Sequence, residues 1–180
     1  VFIRDVGNNY NKMHKKNFLT VFLLLFSYTT FACDCECEGD CSFINIAHTV
    51  DFVALVKVVE YSDHLEEEIL GYDGSMPLSM TVEIIKKYKG EETRNRIKIW
   101  GDNGVLCRPY TANFEVGKYY LIAPEKIKEP QEKENLSDYE FFSCWTDYLE
   151  VDSDFNKVYG HYSKNKNKAT LKRFEKDILK

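Results

Sequence analysis

Short runs of hydrophobic and β-branched residues, separated by polar and turn-forming stretches, predict five β-strands. The first run, 50–61, is apolar at almost every position, which is typical of a strand buried on both faces. Residues 96–100 alternate strictly between polar and apolar, and weaker alternation marks 78–89, 118–123 and 139–144. The pattern therefore predicts an all-β protein of short strands.

Two polar stretches and two helical patterns complete this prediction. Residues 62–77 and 124–138 are rich in acidic residues, glycine or proline, and are predicted to be loops. Residues 42–49 predict a short helical turn, and hydrophobic residues recur at helical spacing within 169–180. Five strands with one long hairpin loop favour a small barrel or sandwich, with a short C-terminal helix across one end.

The residues before Cys33 have the three parts of a secretory signal peptide. A basic stretch precedes an apolar run over 18–28, and Thr30 and Ala32 are the small residues expected before a cleavage site. The apolar run is shorter than the roughly 20 residues that a membrane-spanning helix needs. We therefore expect residues 1–32 to be removed on export and the mature protein to begin at Cys33.

Removal of this leader makes the protein more acidic. The full chain has a formal net charge of −5, and residues 1–32 hold four basic residues and one acidic residue. The remainder, with 20 basic and 28 acidic residues, has a formal charge of −8, which argues against a nucleic acid partner. Many of its basic residues fall in 157–180, so we predict that 151–180 is a solvated basic tail ending in the C-terminal helix.

All six cysteines lie in the predicted mature chain: Cys33, Cys35, Cys37, Cys41, Cys107 and Cys144. An even number of cysteines in an exported protein favours disulfides, although 15 pairings are possible. Two alternatives remain for the four clustered cysteines. Thiolates beside carboxylates would suit a soft metal such as zinc, and lipidation of Cys33 would anchor the protein at the cell surface.

The sequence contains no arrangement of residues typical of an enzyme. His48, His64 and His161 are scattered, and no serine has the glycine-flanked setting of a hydrolase nucleophile. His48 is expected to pack or cap beside the first strand. The acidic runs 66–68 and 91–92 fall in predicted loops, which indicates solvated carboxylates rather than a catalytic pair. We therefore predict that the protein is not an enzyme and needs no cofactor.

A series of short motifs follows the same order as in a known family. They are a Cys-x-Cys at 33–35 or 35–37, strand residues 50–53 and 57–59, residues 82–86 with a Lys-Gly turn at 89–90, Cys107, residues 116–123 and Cys144. In this order they resemble the N-terminal inhibitory domain of the tissue inhibitors of metalloproteinases, within the wider netrin-like family. The resemblance covers about residues 33–150 and implies a five-stranded Greek-key barrel of the oligonucleotide/oligosaccharide-binding (OB) type over that range.

The resemblance also implies the disulfide pairs Cys33–Cys107 and Cys35–Cys144, which leaves Cys37 and Cys41 for a small local loop. In these inhibitors the α-amine and carbonyl of the first cysteine chelate the catalytic zinc of the protease. The second residue enters the substrate pocket. Here these positions are Cys33 and Asp34, with Cys35 completing the protease-contacting segment.

The sequence therefore predicts a secreted, monomeric inhibitor whose partner is a zinc metalloprotease. Asp34 departs from the small or hydroxylated residue that the family carries at the pocket position, and a buried carboxylate is costly there. The alternative prediction is a secreted or surface-attached interaction module with the same fold and no inhibitory activity. Membrane attachment would require lipidation of Cys33.

Overall fold

The computed structural model describes residues 33, 35–37, 39–65 and 75–179. The chain divides into two compact units, Val1–Cys33 and Asp34–Lys180, and all the helices and strands described belong to the second. The predicted leader, Asp34 and the acidic run 66–68 lie outside the described residues.

Among the described residues, two short helices and eleven strands are formed. The helices are α1 (Phe43–Thr49) and α2 (Leu171–Asp177), and a 3₁₀ turn spans Thr111–Asn113. The strands are β1 (Val53–Tyr61), β2 (His64–Leu65), β3 (Met76–Pro77), β4 (Ser79–Lys89), β5 (Arg96–Trp100), β6 (Tyr119–Ile122), β7 (Glu125–Lys126), β8 (Tyr139–Glu140), β9 (Tyr148–Val151), β10 (Lys157–Ser163) and β11 (Lys166–Thr170).

The five predicted strands correspond to β1, β4, β5, β6 and β8, and both predicted helices are present. The fifth strand is much shorter than predicted, because it ends at Glu140 instead of Cys144. Beyond it the backbone N–H of Phe142 donates to the carboxylate of Asp147 (2.6 Å) rather than to a neighbouring strand. The segment 141–147, called the 141–147 loop below, therefore turns away from the sheet.

Nine of the described strands form one sheet, in the order β11-β10-β9-β6-β1-β4-β5-β8-β7. Strands β1, β4 and β5 pair antiparallel in succession, and β6 returns to pair antiparallel with β1. This is the strand order of a Greek key. Strand β8 then pairs parallel with β5. No pairing among the described strands joins β7 to β11, so the sheet is open in this structure.

The central strand β1 buries alternate residues in two separate hydrophobic clusters. Val53 and Leu55 belong to one cluster, whereas Ala54, Val56 and Val58 belong to the other. Successive side chains of a strand point to opposite faces of the sheet, so a continuous apolar run is needed when both faces are covered. This confirms the predicted burial on both faces for Val53–Val56, whereas the end of the strand is less buried and Glu60 is exposed.

The C-terminal residues complete one of these clusters, and a solvated tail was the wrong prediction for them. Strands β10 and β11 form a hairpin that extends the sheet. Val158 and Phe174 are fully buried, and Tyr162 is 3% exposed. The ring of Phe174 packs edge-on against those of Phe43 in α1 (5.8 Å) and Tyr88 in β4 (5.0 Å). The basic residues between these apolar positions lie on the exposed face of the hairpin.

The Lys-Gly turn between β4 and β5 requires glycine at position 90. Gly90 has a φ of +92°, and a Cβ placed there would lie 2.5 Å from the carbonyl oxygen of Asp51. Only glycine tolerates both the conformation and this close approach. The β4–β5 turn therefore packs closely against the backbone of Asp51, just before β1 begins.

Glu92, in the same turn, is not the solvated carboxylate that its position predicted. Its side chain is 6% exposed and accepts hydrogen bonds from Arg94 Nη2 (2.7 Å) and from the Tyr139 hydroxyl (2.9 Å). The hydrogen bonds from Arg94, together with that from Tyr139, outweigh desolvation and lower the pKa of Glu92 to about 2. Glu92 therefore connects the β4–β5 turn to β8.

Truncation of Phe174 tests whether the C-terminal helix is part of the folded core. We expect Phe174→Ala to lower the free energy of unfolding by about 3–5 kcal/mol, because it leaves a cavity between three rings. Leu179→Ala is the control, since Leu179 is 84% exposed and should change stability by less than about 0.5 kcal/mol. Urea denaturation measures both, and equal effects would contradict the assignment of α2 to the core.

Acid titration of stability tests the role of Glu92. Because its pKa is lower in the folded than in the unfolded protein, ionised Glu92 stabilises the fold above about pH 4.5, and this contribution is lost as pH falls towards about 2. Glu92→Gln should be less stable at neutral pH and should show a flatter pH dependence over this range. Melting temperatures at a series of pH values would show it. Glu91→Gln, at the exposed neighbour, should behave like the unsubstituted protein.

Candidate functional site

Residues 35–37 and 39–41, called the N-terminal segment below, are covalently attached to the 141–147 loop. Cys35 forms a disulfide with Cys144 across 109 residues of sequence, with the two Cα atoms 5.2 Å apart. This is the pairing that the resemblance implies. The bridge places Cys35, the last residue of the predicted protease-contacting segment, at the loop that connects β8 to β9.

A second disulfide and two hydrogen bonds hold the residues that follow. Cys37 and Cys41 close a small loop, and the backbone N–H of Thr146 donates to the carbonyl oxygen of Cys41 (2.9 Å). The indole N–H of Trp145 donates to the carbonyl oxygen of Glu36 (3.3 Å). Glu36 and Cys41 therefore have hydrogen-bond partners on the 141–147 loop in addition to the covalent link at Cys35.

The cysteines are all oxidised. Cys33 and Cys107 are also disulfide-bonded, and no described cysteine is free. A zinc site built from clustered thiolates is therefore ruled out in this structure, because every sulfur is used in a bridge. Three disulfide pairs indicate an oxidising environment. Within the described residues, none of the helices has the length and apolar character needed to cross a membrane.

The other predicted site residues are placed as follows. Cys33 and Cys35 are exposed, whereas Asp34 lies outside the described residues. His48 is exposed in the last turn of α1, so of its two predicted roles, packing or capping beside the first strand, the packing of its side chain is wrong. Its carbonyl oxygen accepts a hydrogen bond from Lys89 Nζ (2.8 Å). His64 lies in β2. His161 lies in β10, and its Nδ1 is 3.5 Å from the hydroxyl of Thr146 in the 141–147 loop.

A cleft of about 520 Å³ lies beside the N-terminal segment. Its wall includes Glu36, the aromatic rings of the 141–147 loop and the residues around Cys107. The backbone N–H of Ser143 donates to the carbonyl oxygen of Cys107 (2.9 Å), which joins the two sides. The N-terminal segment thus forms one border of a concave surface.

Arg108 is buried in the cleft wall between two glutamates. Its side chain is 7% exposed and forms ion pairs with Glu134 and Glu140. Burial opposes its charge, but the hydrogen bonds and charges of the two glutamates outweigh burial and raise the pKa of Arg108. This guanidinium is therefore a neutralised structural group and not a free binding group for an anion.

Asp147 is the most deeply buried acid in the cleft wall, with 2% exposure. Its Oδ2 accepts the N–H of Phe142 (2.6 Å), and its own carbonyl oxygen accepts the N–H of Ala123 (2.7 Å). Desolvation raises the pKa of Asp147 well above its ordinary value, and the nearby Glu125 raises it further. Nothing in the local sequence distinguishes this aspartate, because its burial depends on the fold of the 141–147 loop.

Comparison of the sequence with protein-family models and with curated proteins finds no match. The netrin-like resemblance therefore stays a prediction from the order of the sequence motifs.

Removal of single disulfides tests which bridge stabilises the fold. We expect the double variant Cys35→Ala/Cys144→Ala to lose about 2–3 kcal/mol more than Cys37→Ala/Cys41→Ala, because the first bridge closes a far longer loop. Denaturant unfolding of the two variants measures the difference directly. A larger loss from the small Cys37–Cys41 loop would contradict a dominant role for the long-range bridge.

Proposed function

We propose that the exported protein is an inhibitor-like module that engages a zinc metalloprotease through a free N-terminus at Cys33. The observation that carries this proposal is the attachment of the N-terminal segment by the Cys35–Cys144 disulfide and the hydrogen bonds of residues 36–41. A chain end held in this way binds with a smaller loss of conformational entropy than a flexible one.

The strand order supports the fold that this proposal assumes. Strands β6, β1, β4, β5 and β8 are consecutive in the sheet, with the Greek-key order followed by a parallel fifth strand. We propose that these five strands correspond to an OB-type barrel, which is a five-stranded and only partly closed Greek-key structure. The hairpin β10–β11 and α2 would then be an addition on its outer face.

The chemistry of the proposed contact is that of an amine and a carbonyl at one metal. An α-amine has a pKa near 8, so it becomes a neutral nitrogen ligand at little cost. With the carbonyl oxygen of Cys33 it would fill the position at which a catalytic zinc activates water. The sulfur of Cys33 is disulfide-bonded, which leaves the main-chain atoms as its metal ligands and leaves no sulfur for lipidation.

Asp34 restricts the kinds of protease that the protein could inhibit. A carboxylate entering an apolar pocket would lose its hydration without compensation. The proposal therefore favours a protease whose corresponding pocket contains a basic side chain or several hydrogen-bond donors. A non-inhibitory binding module is the second candidate, and the acidic cleft beside Glu36 is the observation that favours it.

Extension of the N-terminus tests the inhibitory proposal. The mature protein, starting at Cys33, should inhibit at least one member of a panel of zinc proteases that differ in the charge of this pocket. One additional alanine before Cys33 should weaken inhibition by at least about 100-fold, because it removes the amine from the zinc. Inhibition constants measured with a fluorogenic peptide would show the loss.

The extended variant is its own structural control, since it should contain three disulfides and unfold at the same denaturant concentration. Intact mass of the exported protein verifies that residues 1–32 are absent and that Cys33 carries no acyl group. Failure to inhibit any protease in the panel, or equal inhibition by the extended variant, would refute the zinc-chelating mechanism.

A further inference from the structure

The cleft contains a buried carboxylate oxygen that lacks a hydrogen-bond partner. Oδ1 of Asp147 receives no hydrogen bond from any residue that the structure describes, whereas Oδ2 accepts the N–H of Phe142. The backbone N–H groups of Phe142 and of Asp147 itself offset only part of the effect of burial on its pKa. Most buried polar atoms in folded proteins are paired, and those that are not are destabilising. Oδ1 is closed to solvent, so a donor in the cleft reaches it only when the carboxyl group turns towards the cleft, which Asp147 lines.

The charges around this oxygen favour a cationic donor. Four carboxyl groups line the cleft, those of Glu36, Glu125, Glu140 and Asp147, against the single guanidinium of Arg108. Arg108 is already neutralised by Glu134 and Glu140. Among the described residues that line the cleft, Glu36 and Glu125 therefore carry negative charge that no lining cation balances, although Glu125 contacts the exposed Lys128 outside it (3.2 Å). Burial favours the protonated form of Asp147, and a cation bound beside it would favour the ionised form.

The aromatic wall favours an organic cation over a metal ion. Phe142 and Trp145 are half-buried, with their rings packed edge to face at 5.1 Å. Ring faces attract guanidinium and ammonium groups. By contrast, no group of three or more described acidic, histidine or cysteine side chains is arranged to hold a metal ion.

We propose that this cleft binds the side chain of an arginine or lysine of a partner protein, with the cationic group at Asp147 Oδ1 and the aliphatic stem against Trp145. Arginine fits best, because its planar fork both stacks on an aromatic ring and donates to carboxylates. Glu36 belongs to the N-terminal segment as well as to the cleft, so a partner bound at this edge contacts both. The inference does not depend on zinc chelation, since it rests on the cleft alone.

Binding of a blocked amino acid tests the proposal. Titration of the mature protein with Nα-acetyl-arginine methylamide should shift the NMR signals of the Trp145 indole N–H and the Phe142 amide, which both lie at the site. The citrulline analogue has the same shape without the charge and should cause no comparable shift. We expect a millimolar Kd for a single side chain, so titration to about 50 mM covers the range.

Substitutions locate the contact. Asp147→Asn keeps the shape and removes the charge, and it should weaken arginine binding by at least about tenfold. Glu125→Gln, at the more exposed rim, should weaken it about threefold and remains informative if Asp147→Asn does not fold. Glu129→Gln is the matched control, because Glu129 is exposed and does not line the cleft; it should leave binding unchanged.

Three results would overturn the proposal: equal binding of arginine and citrulline, unchanged affinity in both cleft variants, or no shift at the highest concentration. Tighter binding of cadaverine than of the arginine and lysine derivatives would identify a free polyamine as the ligand and would exclude a protein partner. The variant with an additional alanine before Cys33 should bind arginine normally, so failure of this proposal and failure of zinc chelation can be distinguished.

Discussion

The structure depends on burial of β1 on both of its faces. Alternate residues of this strand enter two hydrophobic clusters, and its two edges pair with β4 and β6. Every other element is positioned relative to this strand: α1, α2 and β10 cover one face, while β4, β5 and β8 enclose the other. Val53–Val56, which are buried on both sides of the sheet, cannot be replaced by polar residues without cost, because a polar side chain would be desolvated on either side.

The second constraint is the Cys35–Cys144 disulfide, which acts on the loop that follows β8. Beyond Glu140 the chain leaves the sheet, and its backbone polar groups need other partners. Asp147, Cys41 and Cys107 supply acceptors for backbone N–H groups of the 141–147 loop, and the Cys35–Cys144 bridge ties the N-terminal segment to the same loop. An irregular loop therefore becomes a defined surface, on which the N-terminal segment and the acidic cleft are neighbours.

Two physically different settings of acidic side chains can be distinguished near the cleft and the β4–β5 turn. Glu92, Glu134 and Glu140 are each paired with a buried or half-buried arginine, and their charges connect strands and turns. Asp147 has no such cation and is buried with one oxygen unpaired. Glu92 stabilises the fold through its lowered pKa, and Glu134 and Glu140 stabilise it through their ion pairs with Arg108. An unpaired buried carboxylate lowers stability and is better explained by binding.

The sequence by itself determined the elements whose signal is local. Continuous apolar character located β1, strict alternation located β5, helical spacing located α2, and the Lys-Gly turn marked the end of β4. The residues of β9, β10 and β11 were missed, since Val158 and Tyr162 are isolated apolar positions among polar ones and gain their meaning only from the helices packed on them. The cleft was missed for the same reason: Glu36, Arg108 and Asp147 are far apart in the chain. Only the tertiary structure decided which carboxylates are paired, because pairing and burial depend on contacts between residues that are distant in sequence.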